Sequence, residues 1–220
     1  MKILTVLLVL LSINCFSQTE TGSHTLLSTK PDKQNEVNTY LSIDGSWLQL
    51  NKEDVGSVGL TLGVTTNKCF TFGLIGNYIF DSPNDNDQWI FMPDSLPAGK
   101  NVRIYCGYGG ILLEPTLFPK FPIHLTFPVS FCVGNISYYL KPTGASYWSK
   151  TNGEYLGSYT FFMINLGVRL ELNVIRNMRI TCGPSYHWIP SQKISPNPDY
   201  QPSGLLSSLS LDFSIKIGNY

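Results

Sequence analysis

The sequence of 220 residues is poor in charged side chains and has no long apolar segment after its first residues. Asp, Glu, Lys and Arg make up 14% of the chain, against about 25% in typical soluble domains. The 15 basic and 15 acidic residues cancel, which excludes the basic footprint of a nucleic-acid-binding protein. Past the N-terminal segment, no stretch reaches the roughly 18 continuous apolar residues of a transmembrane helix. The sequence therefore predicts neither nucleic acid as a partner nor a membrane-spanning helix.

Motifs for metals and for a disulfide scaffold are also missing. There is no Cys-x-x-Cys or His-x-x-x-His pair, so we predict no metal site and no cofactor. Past residue 18 the chain contains Cys69, Cys106, Cys132 and Cys182. Strand alternation places Cys106 and Cys132 on opposite faces of neighbouring strands, where their side chains could not bridge. We therefore expect free, buried cysteines.

The N-terminus has the pattern of a secretory signal peptide. A basic start is followed by an apolar run over 3–13, which is too short to span a membrane as a helix of about 20 residues. The predicted organisation is a signal peptide over 1–17, a flexible N-terminal extension over 18–38 and one β-barrel domain over 39–220. Cys15 raises the alternative of a lipidated N-terminus, although the residues before it match that signal poorly.

Eight segments alternate apolar with small or polar residues. Residues 209–217 are the clearest, with Leu, Phe and Ile at one phase and Ser, Asp and Lys at the other. Because side chains in a strand switch face at every residue, each segment predicts one apolar and one polar face. Pro128 and Pro184 predict ladder breaks, because proline cannot donate to a ladder. The predicted strands cover 39–50, 56–66, 69–80, 101–114, 122–138, 159–174, 177–189 and 204–218.

The connections alternate long with short. Long connections cover 81–100, 141–158 and 190–203, and tight ones 66–68, 115–121 and 175–176; the short 51–55 is an exception. Outer-membrane barrels have this pattern, with tight periplasmic turns and long external loops. The apolar phase of the predicted strands, which is expected to face lipid and includes Tyr108 and Leu112 on the fourth strand, also carries no charged residue. The sequence thus predicts an all-β fold: an eight-stranded antiparallel up-and-down transmembrane β-barrel, located in the outer membrane.

The opposite phase of the strands carries charge. An eight-stranded barrel has room inside only for its own side chains, and unpaired buried charge is costly. We therefore predict an interior ion-pair network, in which Glu171 lies opposite Arg179 if Asn173 faces Asn177. The small glycines of this phase are expected to make room for Arg side chains. The predicted members are Asp44, Arg103, Arg169, Glu171, Arg179, Asp212 and Lys216.

Several glycine-rich and aromatic stretches carry a resemblance. They are residues 107–110 (GYGG), 122–128 (PIHLTFP), 167–173 (GVRLELN) and 179–186. In these the chain resembles small outer-membrane β-barrel proteins of Gram-negative bacteria, many of them uncharacterised. The resemblance implies a barrel and an outer-membrane location, and it brings no shared catalytic residues.

The external loops hold the remaining functional signal, because aromatic residues are enriched in recognition surfaces. We expect a non-catalytic barrel with a structural or surface-recognition role. Its expected partners are outer-membrane lipid and, during biogenesis, the barrel-assembly machinery, and it is expected to be a monomer; no surface ligand can be named. The candidate loop residues are Trp89, Phe91, Tyr147, Trp148, Tyr155 and Tyr200.

Two alternatives remain open from the sequence. Ser185 and His187 share one face of a strand, and His124 lies on an inner phase, so a lipid-acting barrel enzyme is one alternative. The other is an exported soluble, lipocalin-like barrel that binds a ligand in its lumen. That alternative predicts an apolar interior and a wet exterior.

Overall fold

The computed structural model describes residues 37–50, 53–80, 102–140, 154–190 and 208–219. The predicted signal peptide, and the extension up to residue 36, lie outside the described residues. The strands are β1 (Val37–Leu50), β2 (Glu53–Thr66), β3 (Phe70–Phe80), β4 (Val102–Leu117), β5 (Ile123–Thr126), β6 (Val129–Leu140), β7 (Glu154–Gly167), β8 (Arg169–Ile175), β9 (Met178–Trp188) and β10 (Ser208–Gly218).

These ten segments form eight barrel strands. Residues 127–128 separate β5 from β6, and Val168 separates β7 from β8. Because β5 pairs with β8 and β6 pairs with β7, the consecutive segments β5 and β6 act together as one long strand, and so do β7 and β8. All pairings are antiparallel, and β1 pairs with both β2 and β10, which closes the ring. The predicted eight-stranded antiparallel barrel is confirmed.

The two ends of the barrel differ. One end has the described turns at 67–69, 118–122 and 176–177 and is called the short-turn end. In its first turn Asn67 and Lys68 both have positive φ, and the Cys69 amide donates to the Thr66 carbonyl. At the opposite end, called the long-connection end, the strands are joined through residues 51–52, 81–101, 141–153 and 191–207.

The outer wall of the barrel is apolar. Leu62 on β2, Leu74 on β3, Val133 on β6 and Leu170 on β8 are each more than half exposed. Among side chains that the structure describes, no Asp, Glu, Lys or Arg faces outward between Asp54 at the long-connection end and Arg176 at the short-turn end. Exposed aromatic side chains near the long-connection end are Trp47, Tyr78, Tyr105, Tyr186 and Trp188.

No helix in the described part of the chain is long and apolar enough to cross a membrane.

The two strand prolines meet at one break in the sheet. Pro128 lies in the gap between β5 and β6, where its carbonyl accepts from the Gly167 amide at 2.8 Å. Pro184 stays inside β9, and its carbonyl accepts from the Val168 amide at 3.0 Å. The break predicted at Pro184 is therefore found on the neighbouring strand, at Val168. The interruption therefore breaks two adjacent barrel strands and borders Pro184 on the third.

We predict faster amide exchange around this interruption than in the continuous β1–β2 ladder. The prolines remove two amide donors, and segments with fewer ladder hydrogen bonds open at lower free energy. Hydrogen–deuterium exchange of the folded protein in detergent micelles should give higher early uptake in peptides covering 125–130 and 166–170 than in those covering 40–47 and 57–64. Equal protection in all four would contradict this.

Candidate functional site in the barrel interior

The inward-facing side chains form two layers along the barrel. The layer nearer the long-connection end is apolar and consists of Leu48, Val55, Ile79, Cys106, Tyr108, Cys132, Ile136, Phe161, Met163 and Ile189. The layer nearer the short-turn end is charged and consists of Asp44, Glu114, His124, Arg169, Glu171, Arg179, Asp212 and Lys216. We call these the apolar layer and the charged layer.

Lys216 joins opposite walls of the barrel. Its Nζ donates to Glu114 Oε1 at 2.5 Å and to Glu171 Oε2 at 2.6 Å. Lys216 is on β10 and Glu114 on β4, the eighth and fourth of the eight barrel strands. All three side chains are at most 4% exposed. The ion pair therefore crosses the lumen between opposite walls of the barrel.

Glu171 is the centre of the charged layer. Besides Lys216, it accepts at Oε1 from Arg179 Nη1 at 2.8 Å and lies 2.9 Å from His124 Nε2. The predicted register between Glu171 and Arg179 is wrong: Asn173 lies opposite Arg179, and Glu171 lies opposite Thr181. The ladder shifts between Asn173 and Ile175, so the ion pair is diagonal.

His124 connects the charged layer to a turn at the short-turn end. Its Nε2 meets the Glu171 carboxylate, and its Nδ1 lies 3.3 Å from the Phe121 carbonyl oxygen. The buried ring therefore lies between the Glu171 carboxylate and the backbone of the turn at 118–122, and it ties this turn to the charged layer.

Asp212 organises a second group of contacts nearer the apolar layer. It accepts from Arg169 Nη2 at 2.7 Å, Ser185 Oγ at 2.5 Å and Ser210 Oγ at 2.8 Å. Asp44 is held by hydroxyls, accepting from Ser42 at 2.6 Å and Thr61 at 2.5 Å. The hydroxyls satisfy carboxylate lone pairs that the cations do not reach, as buried carboxylates require.

Ser185 and His187 are not arranged as a nucleophile and its base. Ser185 donates to Asp212, whereas His187 Nε2 contacts Ser210 Oγ at 3.0 Å and its Nδ1 faces the Met163 sulfur at 3.4 Å. Activation of a serine requires its hydroxyl to donate to the base. Both side chains are also only 2% exposed. His187 instead links the two layers, with a hydroxyl on one side and a thioether on the other.

Glu114 is the interior residue that sequence reasoning missed. We predicted the outward phase of strand four from Tyr108 and Leu112, and this is wrong, because they are 7% and 5% exposed and face the lumen. Both phases of this strand are apolar, so hydropathy alone could not distinguish them. The polar residues Glu114 and Thr116 share the phase of Tyr108, and they could have identified this phase as the inward one. Arg103, assigned to the interior by the same wrong phase, has a side chain outside the described residues.

The predicted orientation of two cysteines is corrected as well. Cys106 and Cys132 both face the lumen, buried in the apolar layer. Cys132 lies opposite Gly110, four residues along β4 from Cys106, which at about 3.3 Å per residue is too far for a disulfide. As expected, none of the four cysteines forms a disulfide, but burial is confirmed only for Cys69, Cys106 and Cys132, whereas Cys182 is half-buried.

Two interior glycines make room for aromatic rings, where we predicted room for Arg side chains. A Cβ on Gly134 would lie 2.4 Å from the Phe161 ring. A Cβ on Gly63 would lie 2.3 Å from the Tyr40 ring, which in turn lies 5.2 Å below Lys216 Nζ. These glycines therefore support the apolar and the charged layer respectively.

Of the predicted loop aromatics, only Tyr155 is among the described residues. The structure places it in β7 rather than in a loop, with its ring 5.4 Å from that of Tyr139, which lies 5.5 Å from the ring of Tyr105. These three tyrosines form an aromatic cluster near the long-connection end. The other candidates, Trp89, Phe91, Tyr147, Trp148 and Tyr200, lie outside the described residues.

Comparisons with known proteins bear on the fold. No family model matches the chain, and no curated protein matches it. Among solved structures, a major outer membrane protein from Thermus thermophilus aligns with a TM-score of 0.53 at 8% identity, over 82% of this chain and 98% of that one. The fold is that of a small outer-membrane β-barrel.

Two further solved structures align with the chain. Neisserial surface protein A aligns with a TM-score of 0.49 at 9% identity, over 84% of this chain and 99% of that one. Ail, the attachment invasion locus protein of Yersinia pestis, aligns with a TM-score of 0.44 at 12% identity, over 84% and 98%.

We predict that Lys216→Met destabilises the barrel by about 3–5 kcal/mol, because it leaves Glu114 and Glu171 buried without their shared cation. Equilibrium urea unfolding in lipid vesicles measures this change. The matched control is the outward neighbour Ile217→Met, a volume-conserving apolar swap expected to cost less than about 1.5 kcal/mol. Equal losses in the two variants would show that the charged layer contributes little to stability.

Proposed function

We propose that this protein is an outer-membrane β-barrel without an open channel and without catalytic activity. It serves as a structural or surface-recognition protein through the connections at its long-connection end. The observation that carries the proposal is the Lys216–Glu114 ion pair across the lumen, inside a wall whose described outer face is apolar. Such a barrel presents its ends, and not its interior, to other molecules.

The outer wall supports the membrane location. An exported soluble barrel would expose polar side chains. Here each of the eight barrel strands has at least one Leu, Ile, Val or Phe side chain that is more than a third exposed. Outer-membrane barrels carry such a band between rings of aromatic residues. Trp47 and Trp188 lie where the aromatic ring at the long-connection end is expected. Phe118 and Phe121, which are exposed in a turn, lie where the ring at the short-turn end is expected.

The two interior layers support the absence of a channel. The charged layer closes the short-turn half through Lys216, and the apolar layer fills the other half with Ile136, Phe161 and Met163, each at most 3% exposed. Barrels of eight strands are filled by their own side chains, whereas porins with 16–18 strands hold an aqueous channel. Burial also argues against catalysis, because Ser185 and His187 are enclosed in the barrel where a substrate does not reach them.

Recognition is assigned to the long-connection end. The cluster of Tyr105, Tyr139 and Tyr155 lies on the wall at this end, where aromatic rings suit the boundary between lipid and water. The partners we propose are outer-membrane lipid around the wall and the barrel-assembly machinery during insertion, with a monomer as the working form. A surface ligand would contact residues of the connections themselves.

We predict that Leu60→Arg costs about 2–4 kcal/mol in lipid vesicles, because Leu60 faces outward in the middle of β2 and would place a cation in hydrocarbon. Thr39→Arg, outward at the short-turn end, is the matched control and should cost about 0–1 kcal/mol. An exposed Leu→Arg change in a soluble protein usually costs less than about 0.5 kcal/mol. Detergent-dependent refolding and a heat-dependent gel shift should accompany the result. A folded, soluble monomer in plain buffer would contradict the proposal.

We also predict that the protein does not conduct ions, because both halves of its lumen are filled. Planar bilayer recordings with the refolded protein should show no discrete current steps. A true channel gives step sizes that increase with salt concentration and are altered by Lys216→Met. Steps with both properties would overturn the closed-lumen proposal.

A further inference from the structure

The outer wall contains an apolar groove that the barrel fold does not explain. It has a volume of about 830 Å³ and lies over β1, β2 and β3, with its edge reaching Tyr108 on β4. Leu41, Ile43, Leu60, Leu74 and Tyr78 line its sides, and Gly76 lies on its floor. We call this feature the Gly76 groove.

Packing does not require glycine at position 76. A Cβ at several inward glycines would collide with neighbours: at Gly59 it would lie 1.9 Å from Asn77, and at Gly183 2.1 Å from the Val168 carbonyl. At Gly76 a Cβ would meet nothing within 4 Å. Glycine inside a strand costs roughly 0.5–1 kcal/mol relative to alanine. The missing side chain keeps the groove open and has no other role in the fold.

The neighbouring strand continues the same pattern. Gly76 lies opposite Gly109, and Tyr78 lies opposite Gly107. A Cβ at Gly107 would meet its nearest atom at 3.7 Å, an ordinary contact. Two adjacent strands therefore lack outward side chains at the same level of the wall.

We propose that the Gly76 groove holds one acyl chain of a membrane lipid in a fixed position. The groove is continuous with the apolar wall, so hydrocarbon reaches it without crossing a polar boundary. Its lining is almost entirely apolar, and its volume is in the range of about 300–1,000 Å³ typical of ligand sites. This inference rests on the membrane placement proposed above.

A flexible chain fits this groove better than a second copy of the barrel does. The wall of a small barrel is convex, so two barrels touch along their projecting side chains. Leu60, Leu74 and Tyr78 project around Gly76 and are each more than 40% exposed. They would hold a second wall away from the floor, whereas a single hydrocarbon chain passes between them.

The test compares lipid retention by three proteins refolded in phosphatidylcholine vesicles and extracted into increasing detergent. Native mass spectrometry should show one retained phospholipid on the wild type and on Gly45→Leu at detergent concentrations where Gly76→Leu has lost it. Gly45 is the matched control because it is an outward glycine whose Cβ would meet only the Ser57 carbonyl, at 3.9 Å. Gly76→Leu is expected to fold, because a Cβ at this position meets nothing within 4 Å and the rest of the side chain extends into the groove.

The outcomes separate this inference from the membrane proposal. A heat-dependent gel shift on all three proteins reports the membrane barrel. If the shift is present and Gly76→Leu retains lipid as well as the wild type does, the groove inference is wrong and the membrane proposal stands. Loss of a dimer peak in Gly76→Leu with unchanged lipid retention would make the groove an interface between copies. A wild type that folds without detergent or lipid would remove both proposals.

Discussion

The structure depends on the neutralisation of buried charge inside a closed ring. Apolar side chains on the outer wall leave ionised groups no place except the interior, where an unpaired charge costs several kcal/mol. Lys216 meets this constraint by reaching from β10 to Glu114 on β4 and Glu171 on β8. A side chain on one strand that binds two others also fixes the separation of the three, so electrostatics and barrel diameter are coupled here.

The division of the interior into two layers follows from the same constraint. Charged side chains are neutralised only where carboxylates and cations lie at one level, so they concentrate in the half nearest the short turns. The other half is filled with Ile136, Phe161 and Met163 instead. His187 lies where the layers meet, with Ser210 on one side and Met163 on the other. We propose no channel because an apolar half above a charged half would leave water no continuous polar path.

The fold could be predicted from the sequence wherever one face of a strand is consistently apolar and the other is consistently small or polar. Period-2 alternation in residues 209–217 and the sorted connection lengths were sufficient for strand number and closure. Alternation could not orient β4, because both of its phases are equally apolar: Tyr108 and Leu112 lie on one, and Ile111 and Leu113 on the other. For the same reason Glu114 was not predicted to face the interior. The register of β8 and β9 was also not predictable, since the shift near Asn173 leaves no hydropathy signal.

The glycines show why a pattern on the sequence needs the structure before it can be assigned a role. Gly63 and Gly134 face inward and are required by the rings of Tyr40 and Phe161, whereas Gly76 faces outward and nothing occupies the space beside it. All three look alike in the sequence. A residue that weakens a strand and supports no packing indicates that the space it leaves is used by something outside the chain. In a wall surrounded by hydrocarbon, that reasoning leads from the missing Cβ of a single glycine to a lipid.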